Sequence, residues 1–489
     1  MDDTEWSIFF QNPSVETQAE QITDYLQYCV DQTIPTSTVK HHHDIPWMSN
    51  SIRKLLADRQ SALQDGNHQA CKQLQTKLQH DIRHAKRELA KQIDSKFKSD
   101  SKTAWAGLKS ILKLKDKSSE CSVNVNNLNS FFARFECDSD VPTLPVIDDS
   151  LELFSFDSVY NVFKHVNVGK ASGPDKISAR LIRTLADCLA EPMCTLYNNS
   201  IKQGKVPKIW KSAHITPLPK VKGANQPKDF RPIALTPILA KCFERLVSPC
   251  IKDKIDDTNQ YAYRRNRSTD DALLVLLDRI TYHLDKSAKN YVRAVFIDFS
   301  SAFNTINSSI LIQRLTDKQI NSNIIAWVYD FLTDRSQRVK TCNEISEALT
   351  VSTGCPQGCV LSPILFSLYV ECMTVSGSNM HMVKYADDTV IIELCSPDQA
   401  TNLQAEMSHI AAWCEDNSLL INSTKTKEIV FCNKRDEPNP ATLDINGSEI
   451  QRVDEYKYLG TIVEKKLSFK SNTDNIIKKA NKRLYIMKQ

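Results

Sequence analysis

Residues 382–392 read MVKYADDTVII, two apolar, β-rich runs on either side of Ala386-Asp387-Asp388. Short apolar runs interrupted by a polar pair predict a strand, a tight turn and a second strand. Two adjacent carboxylates at the tip oppose the hairpin by like-charge repulsion, and a multivalent cation would relieve it. A second stretch, FIDFSSAFNTI at 296–306, ends an apolar run in one aspartate. The run Tyr291 to Phe299 is rich in β-branched and aromatic residues, so it predicts a buried strand with Asp298 near its C-terminal end. A lone buried carboxylate is costly without a basic partner or a cation. Asp298, Asp387 and Asp388 together offer the oxygen donors that hard Mg2+ prefers, with room left for water and substrate phosphates. Two such ions about 4 Å apart can activate a hydroxyl and stabilise a leaving oxygen in phosphoryl transfer. Each aspartate motif alone is weak, because an acidic pair in a turn is ordinarily solvated.

The chain has 489 residues, 41% hydrophobic and 25% charged, the composition of a globular protein with several domains. It has no run long and apolar enough for a transmembrane helix, and its acidic, polar start is unlike a signal peptide, so no membrane partner and no secretion are expected. Its 15 cysteines form no C-x-x-C pair, which argues against zinc and against a disulfide framework.

Net charge is only +4, but it is unevenly placed. Residues 1–39 carry seven acidic side chains and no Lys or Arg, while 40–120 carry 17 basic against 9 acidic. Residues 202–245 hold ten Lys and Arg against Asp229 and Glu244, and the last 33 residues hold nine basic against two acidic. Three basic blocks suggest a polyanion footprint.

Spacing predicts a short helix from Ser49 to Leu63, a turn at Gln64-Asp65-Gly66, and a long basic amphipathic helix through Cys71, Leu74, Leu78, Ile82, Ala85, Leu89, Ile93 and Phe97. KTAWAGLKSIL, 102–112, predicts a third helix. His41 to His43 read as a polar loop. The domain reading is an acidic segment at 1–39, a helical basic arm at 40–120, a Ser/Asn/Asp/Pro boundary at 121–150, a mixed α and β body at 151–470, and a Lys-rich helix at 471–489.

Nine motifs in one order carry a resemblance. They are GKASGPDKISARLI (169–182), WKSAHITPLPK (210–220), DFRPIAL (229–235), QYAYRRNRSTDDA (260–272), FIDFSSAFNTI, GCPQGCVLSPILFSLY (354–369), YADD (385–388), LLINSTKTK (419–427) and YKYLG (456–460). The chain resembles the reverse transcriptases of LINE-type non-LTR retrotransposons, of the jockey and chicken-repeat type. The family usually has Gly-Phe where this chain has Ala262-Tyr263.

The resemblance implies an α+β, right-hand polymerase with fingers, palm and the start of a truncated thumb, preceded by the basic helical arm, the upstream endonuclease being absent. It implies RNA-directed DNA synthesis from dNTPs with two Mg2+ ions, Mn2+ being a substitute. Partners would be an RNA template, the element's own RNA among them, and a DNA primer, in a nuclear or cytoplasmic ribonucleoprotein.

By the same resemblance Asp298 and Asp387 hold metal with the carbonyl of Phe299, Asp388 stands beside them, and Lys425 acts as general acid on the leaving pyrophosphate. Lys220 and Arg231 would grip the triphosphate, Phe303 would lie under the sugar and exclude a 2′-hydroxyl, and Gln357 would touch the nucleotide from a Gly-Pro turn that opens a helix at about Ser362. Arg264, Arg265 and Arg267 would meet template phosphates, and the hairpin of Tyr458 and Gly460 would hold the primer end. The alternative is a catalytically inactive element copy that only binds nucleic acid.

Overall fold

The computed structural model describes residues 4–35, 47–99, 123–136, 141–148, 150–397, 400–433 and 438–488. The expected helix at 102–112 and the histidines at 41–43 lie outside them. The chain divides into two compact units, Met1–Ile34 with Cys121–Asn472, and Pro35–Glu120 with Thr473–Gln489.

Among the described residues, thirteen strands build the larger unit: β1 Ala213–Pro219, β2 Phe230–Leu235, β3 Tyr291–Ile297, β4 Arg335–Val339, β5 Leu349–Val351, β6 Met380–Tyr385, β7 Asp388–Cys395, β8 Lys427–Cys432, β9 Asp444–Ile445, β10 Ser448–Glu449, β11 Gln451–Arg452, β12 Glu455–Tyr458 and β13 Thr461–Glu464. The palm is a five-stranded sheet in the order β11-β8-β3-β7-β6, and the finger sheet runs β2-β1-β4-β5.

Strand β3 is apolar on both faces because β7 and β8 flank it and helices cover it; Val292, Ala294, Val295, Phe296 and Ile297 are all buried. Its one charged member, Arg293, is 2% exposed and donates to Glu428 at 2.7 Å, Thr401 at 3.1 Å and the carbonyl of Ala441 at 2.9 Å. A buried guanidinium is tolerated only when its donors are satisfied in this way.

Two stretches set aside as flanking segments belong to the body of this unit. The acidic start contains a helix, Val15–Thr33, whose Val15, Ala19, Ile22 and Leu26 are buried in the main core. The stretch read as a boundary contains the helix Val125–Phe132, whose Val125, Leu128 and Phe132 pack with Ala213, Ile215, Phe230, Ala234 and Val339 of the finger sheet. Composition misled at both places because a short helix needs only three or four apolar residues on one stripe, and polar neighbours dilute the average.

In the smaller unit, helix Asn50–Gln64 is capped by the Ser49 side chain on the Ile52 N–H and is followed by the helix His68–Ser99. The turn between them contains Gly66 at φ +69°, a backbone that glycine adopts without steric cost. Arg59 donates to Gln75 across the pair at 2.6 Å, and Lys86 lies 5.0 Å from the Trp47 ring centroid. No described helix is long and apolar enough to cross a membrane.

Candidate active site

Register brings the aspartates together. Strands β3 and β7 are antiparallel with Ile297 opposite Thr389, so Asp298, the next residue, emerges beside Asp388 at the start of β7. Strands β6 and β7 pair through Tyr385 and Asp388, leaving Ala386 and Asp387 as the turn. Ala386 sits at φ +57°, a left-handed conformation costly to a residue with a Cβ. Gln260 holds it there: its Oε1 accepts from the Ala386 N–H at 2.9 Å and its Nε2 donates to the Ala386 carbonyl at 3.4 Å. Behind the turn Lys384, fully buried, donates to Asp257 at 2.9 Å and to the carbonyl of Val370 at 2.8 Å.

The segment after Asp298 is zipped to the LLINSTKTK motif. The Asn422 N–H donates to the Asp298 carbonyl at 2.8 Å and the Ser300 N–H to the Leu420 carbonyl at 2.8 Å, while Phe299 and Ile421 form a bridge. The Asp298 N–H donates to Thr426 Oγ1 at 3.3 Å. This places Lys425 Nζ 3.3 Å from Asp298 Oδ2, a buried oxygen that makes no hydrogen bond.

Carboxylate crowding is visible in the acidities. Burial raises the Asp387 carboxyl above its usual range, with Asp298 adding to the rise. Asp388 is pushed up to about 6, first by desolvation in the concave palm, then by Asp387 and Asp298. Its residue surface is exposed, so solvent screens part of that effect. The donor set, three carboxylates and one oxygen without a hydrogen bond, fits a hard divalent cation in chemistry. Among the described residues, no group of three or more His, Cys, Asp or Glu side chains is closed tightly enough to hold one.

Cations face the aspartates. Lys220 follows β1, anchored by its N–H on the Asp229 carbonyl at 2.8 Å and by Nζ on the Lys228 carbonyl at 3.0 Å. Desolvation lowers its ammonium pKa, and Lys425, Arg231 and Arg134 lower it further by repulsion. Arg231 lies opposite Leu218 in β2, and its charge also lowers the Asp387 pKa. Four cationic side chains therefore share one field next to three carboxylates.

The glycine-rich turn 354–358 joins this floor to the fingers. Gln357 O accepts from the Ala234 N–H at 2.6 Å, the Gly354 N–H donates to Ile306 O at 2.9 Å, and the Cys355 N–H donates to Phe303 O at 2.7 Å. Gly354 has φ +76° and Gly358 φ +114°, and a Cβ on either would stand 2.7 Å from Asn304 Cα or 2.8 Å from the Ala234 carbonyl oxygen. The helix Ser362–Tyr369 starts where expected. Phe303 is half-buried, its ring 4.8 Å from that of Phe366, and Gln357 Nε2 approaches Asn304 Oδ1 at 3.4 Å.

The remaining expected residues are placed unevenly. Arg264 donates to the Asp257 carbonyl and so braces its own loop, Arg265 is exposed, and Arg267 lies 5.1 Å from the Tyr261 ring centroid. Tyr263, in the departure from Gly-Phe, takes φ +61°. Gly460, at φ +97°, forms the exposed tip of the β12–β13 hairpin. Tyr458 does not present a surface to a primer. It is 2% exposed, with its ring 5.4 Å from that of Phe296 in the palm core. Residue-by-residue reading missed the bracing group of Gln260, Lys384 and Asp257. A lysine following the apolar pair Met382-Val383 inside a strand was the available signal.

The arrangement defines a polymerase palm with its fingers. Residues 218–463, half of the chain, match the family described as reverse transcriptase (RNA-dependent DNA polymerase), and the chain belongs to that family. It is 26% identical over 380 residues, 73% of this chain and 42% of the relative, to a probable RNA-directed DNA polymerase from transposon BS of Drosophila melanogaster. It is 27% identical over 341 residues, 67% of this chain and 37% of the relative, to the RNA-directed DNA polymerase from mobile element jockey of the same organism. The chain thus spans less than half the length of these relatives. A telomerase structure from Candida tropicalis is similar at a TM-score of 0.36 and 14% identity, over 55% of this chain and 48% of that one.

Proposed function

We propose that this chain carries the polymerase activity of a non-LTR retrotransposon product, adding deoxynucleotides to a primer 3′-hydroxyl on an RNA template. The observation that carries the reading is the β3–β7 register, which sets Asp298 beside Asp387 and Asp388 under a field of four cations. A carboxylate cluster facing a cation cluster suits a metal-bound triphosphate, whose charge both sides complement.

Asp298, Asp387 and the carbonyl of Phe299 would hold two Mg2+ ions, with Asp388 adjacent, and those ions would supply hydroxyl activation and charge stabilisation. Lys220 and Arg231 would bind the phosphates from the fingers, one as a point charge and the other as a two-pronged donor. Phe303 would support the sugar and crowd a 2′-hydroxyl, and Gln357 would position the nucleotide beside the glycine turn. Lys425 Nζ is the proton donor for the leaving pyrophosphate. Arg265, Arg267 and the tip at Gly460 are the contacts left for template and primer.

The test is extension of oligo(dT) on poly(rA) by the purified chain in Mg2+, beside Asp298→Ala. Extension by the parent and none by the variant is the expected result. Equal extension by both would end this reading. A chain that binds primer–template and adds no nucleotide in Mg2+ or Mn2+ would favour the alternative of a nucleic-acid binder.

A further inference from the structure

Arg134 lies in FFARFE, within the stretch whose composition reads as a boundary. Its surroundings are those of a ligand-binding arginine. The guanidinium carbon lies 3.8 Å from the Phe131 ring centroid and 4.1 Å from that of Phe135, so two aromatic faces clamp it. One terminal nitrogen donates to the Phe131 carbonyl at 2.6 Å, and the other to Ser301 Oγ at 3.2 Å. Ser301 belongs to the loop between Asp298 and Phe303 and takes φ +57°. The remaining donors of the guanidinium have no partner among the described residues, and none of the described carboxylates pairs with it.

The segment carrying Arg134 is fixed on both sides. Before it, Asn129 donates to the Glu347 carbonyl at 2.9 Å and accepts from Gln337 Nε2 at 3.0 Å. After it, Glu136 accepts from the N–H groups of Ser352 at 2.8 Å and Thr353 at 3.1 Å, the residues that lead into the glycine turn. A rigid mount, an aromatic clamp and proximity to another cation, with no counter-carboxylate among the described residues, describe a group held for an incoming anion. Arginine is the residue for such a site, because its fork reaches two phosphate oxygens at once.

Resting on the polymerase reading, we propose that Arg134 binds the terminal phosphates of the incoming nucleoside triphosphate, opposite Lys220, and that the helix Val125–Phe132 is part of the nucleotide site. The Ser301 contact fixes the direction: it points Arg134 at the loop after Asp298 rather than outward along the fingers. Lys220 feels its charge, which places both groups in one phosphate field.

The experiment uses the full chain on a primer–template whose primer ends in a dideoxynucleotide, titrated in Mg2+ with dTTP and, separately, with dTMP. Arg134→Ala should weaken dTTP binding about tenfold, the worth of one charge-assisted contact. It should leave dTMP and primer–template affinity unchanged, because neither offers the terminal phosphates. Arg134→Lys, which keeps charge but loses the fork, should fall between. Arg134→Gln, which keeps a polar side chain of smaller reach and removes the charge, should also lose dTTP affinity, and an unaltered melting temperature separates ligand loss from misfolding.

Unchanged dTTP affinity in all three variants, in a parent that extends a primer, would overturn this proposal and leave the polymerase reading standing. Weakened primer–template binding with dTTP unaffected would also overturn it, making Arg134 a template-phosphate contact. A parent that binds no dTTP and extends no primer would overturn both.

Discussion

Lys384→Met should destabilise the larger unit by about 3–5 kcal/mol, the usual cost of leaving one member of a buried ion pair alone. Lys384 is fully buried and Asp257 is 5% exposed, and the ammonium also supplies the hydrogen at the Val370 carbonyl. Methionine fills the stem's volume but leaves the Asp257 carboxylate with the Asn259 N–H at 3.0 Å and no cation. Adding Asp257→Asn removes the stranded charge, so the double variant should recover about 1–3 kcal/mol relative to additivity.

The same change should slow chemistry, because Lys384 forms a bridge with Gln260, in the segment that braces the Ala386-Asp387 turn. Its N–H donates to the Asn259 carbonyl at 2.8 Å, its carbonyl accepts from the Tyr261 N–H at 2.9 Å, and Gln260 between them holds Ala386. A displacement near 1 Å at Asp387 would cost roughly 100-fold in kcat. Urea unfolding followed by tryptophan fluorescence, with single-nucleotide incorporation on the same samples, reads both effects. Single and double variants that agree within about 0.5 kcal/mol, or a Lys384→Met enzyme with parental kcat, would refute the reasoning.

Four further outcomes follow from the same geometry. Phe303→Ala should raise rNTP use relative to dNTP by about tenfold or more, read by paired kcat/KM values; an unchanged ratio with activity kept would return Phe303 to a purely packing role. Gly358→Ala, at φ +114° with its new Cβ 2.8 Å from a backbone oxygen, should cost about 1–3 kcal/mol and raise the dNTP KM, whereas Gly223→Ala, at φ +75° in open space, should leave KM alone. Replacing Lys77, Arg83 and Arg87 by Gln should flatten the dependence of log affinity on log salt by about 0.7 for each single-strand phosphate that is no longer neutralised, with kcat unchanged; an unaltered slope would remove the long helix from the nucleic-acid footprint. Glu244 is buried and pushed up to about 6 against Lys241 and the N–H groups of Val360 and Leu361, so its folded value lies above the usual 4.5. The associated stability is present in full below about 4.5 and is lost as pH rises through about 6, so Glu244→Gln should gain about 2 kcal/mol on the parent between pH 4.5 and 7.5.

The elements legible in the sequence are those whose side chains repeat on a short period or whose turn demands a particular residue. Strands β3, β6 and β7, the helix from Ser362 and the β12–β13 hairpin are of that kind, and each forms where the pattern places it. The helices Val15–Thr33 and Val125–Phe132 were not legible as parts of the body, because their apolar stripes are matched to surfaces far away in the sequence. Asn129 illustrates this: it is 1% exposed, and its partners are Gln337 and Glu347. Nothing local in the sequence marks that asparagine as buried.

The site divides in the same way. The aspartates were legible because charge at the end of an apolar strand conflicts with burial, and the conflict itself points to a ligand. Tyr458 was misplaced because an aromatic next to a glycine turn looks the same in sequence whether its ring faces a groove or the core. Alternation decides that question only when the partner strand is known: Tyr458 lies opposite Thr461, and the ring falls on the Phe296 side of the sheet. The groups that brace the turn were hidden for a different reason. Gln260 and Ala386 are 126 positions apart, and the strain at Ala386 becomes visible only as a dihedral angle. A glutamine that supplies both an acceptor and a donor to one strained peptide lets a non-glycine residue hold the left-handed turn, so Gln260→Ala should lower kcat while Ala386→Gly in that background restores part of it. If the glycine does not rescue, the glutamine acts on the aspartates by some route other than the turn.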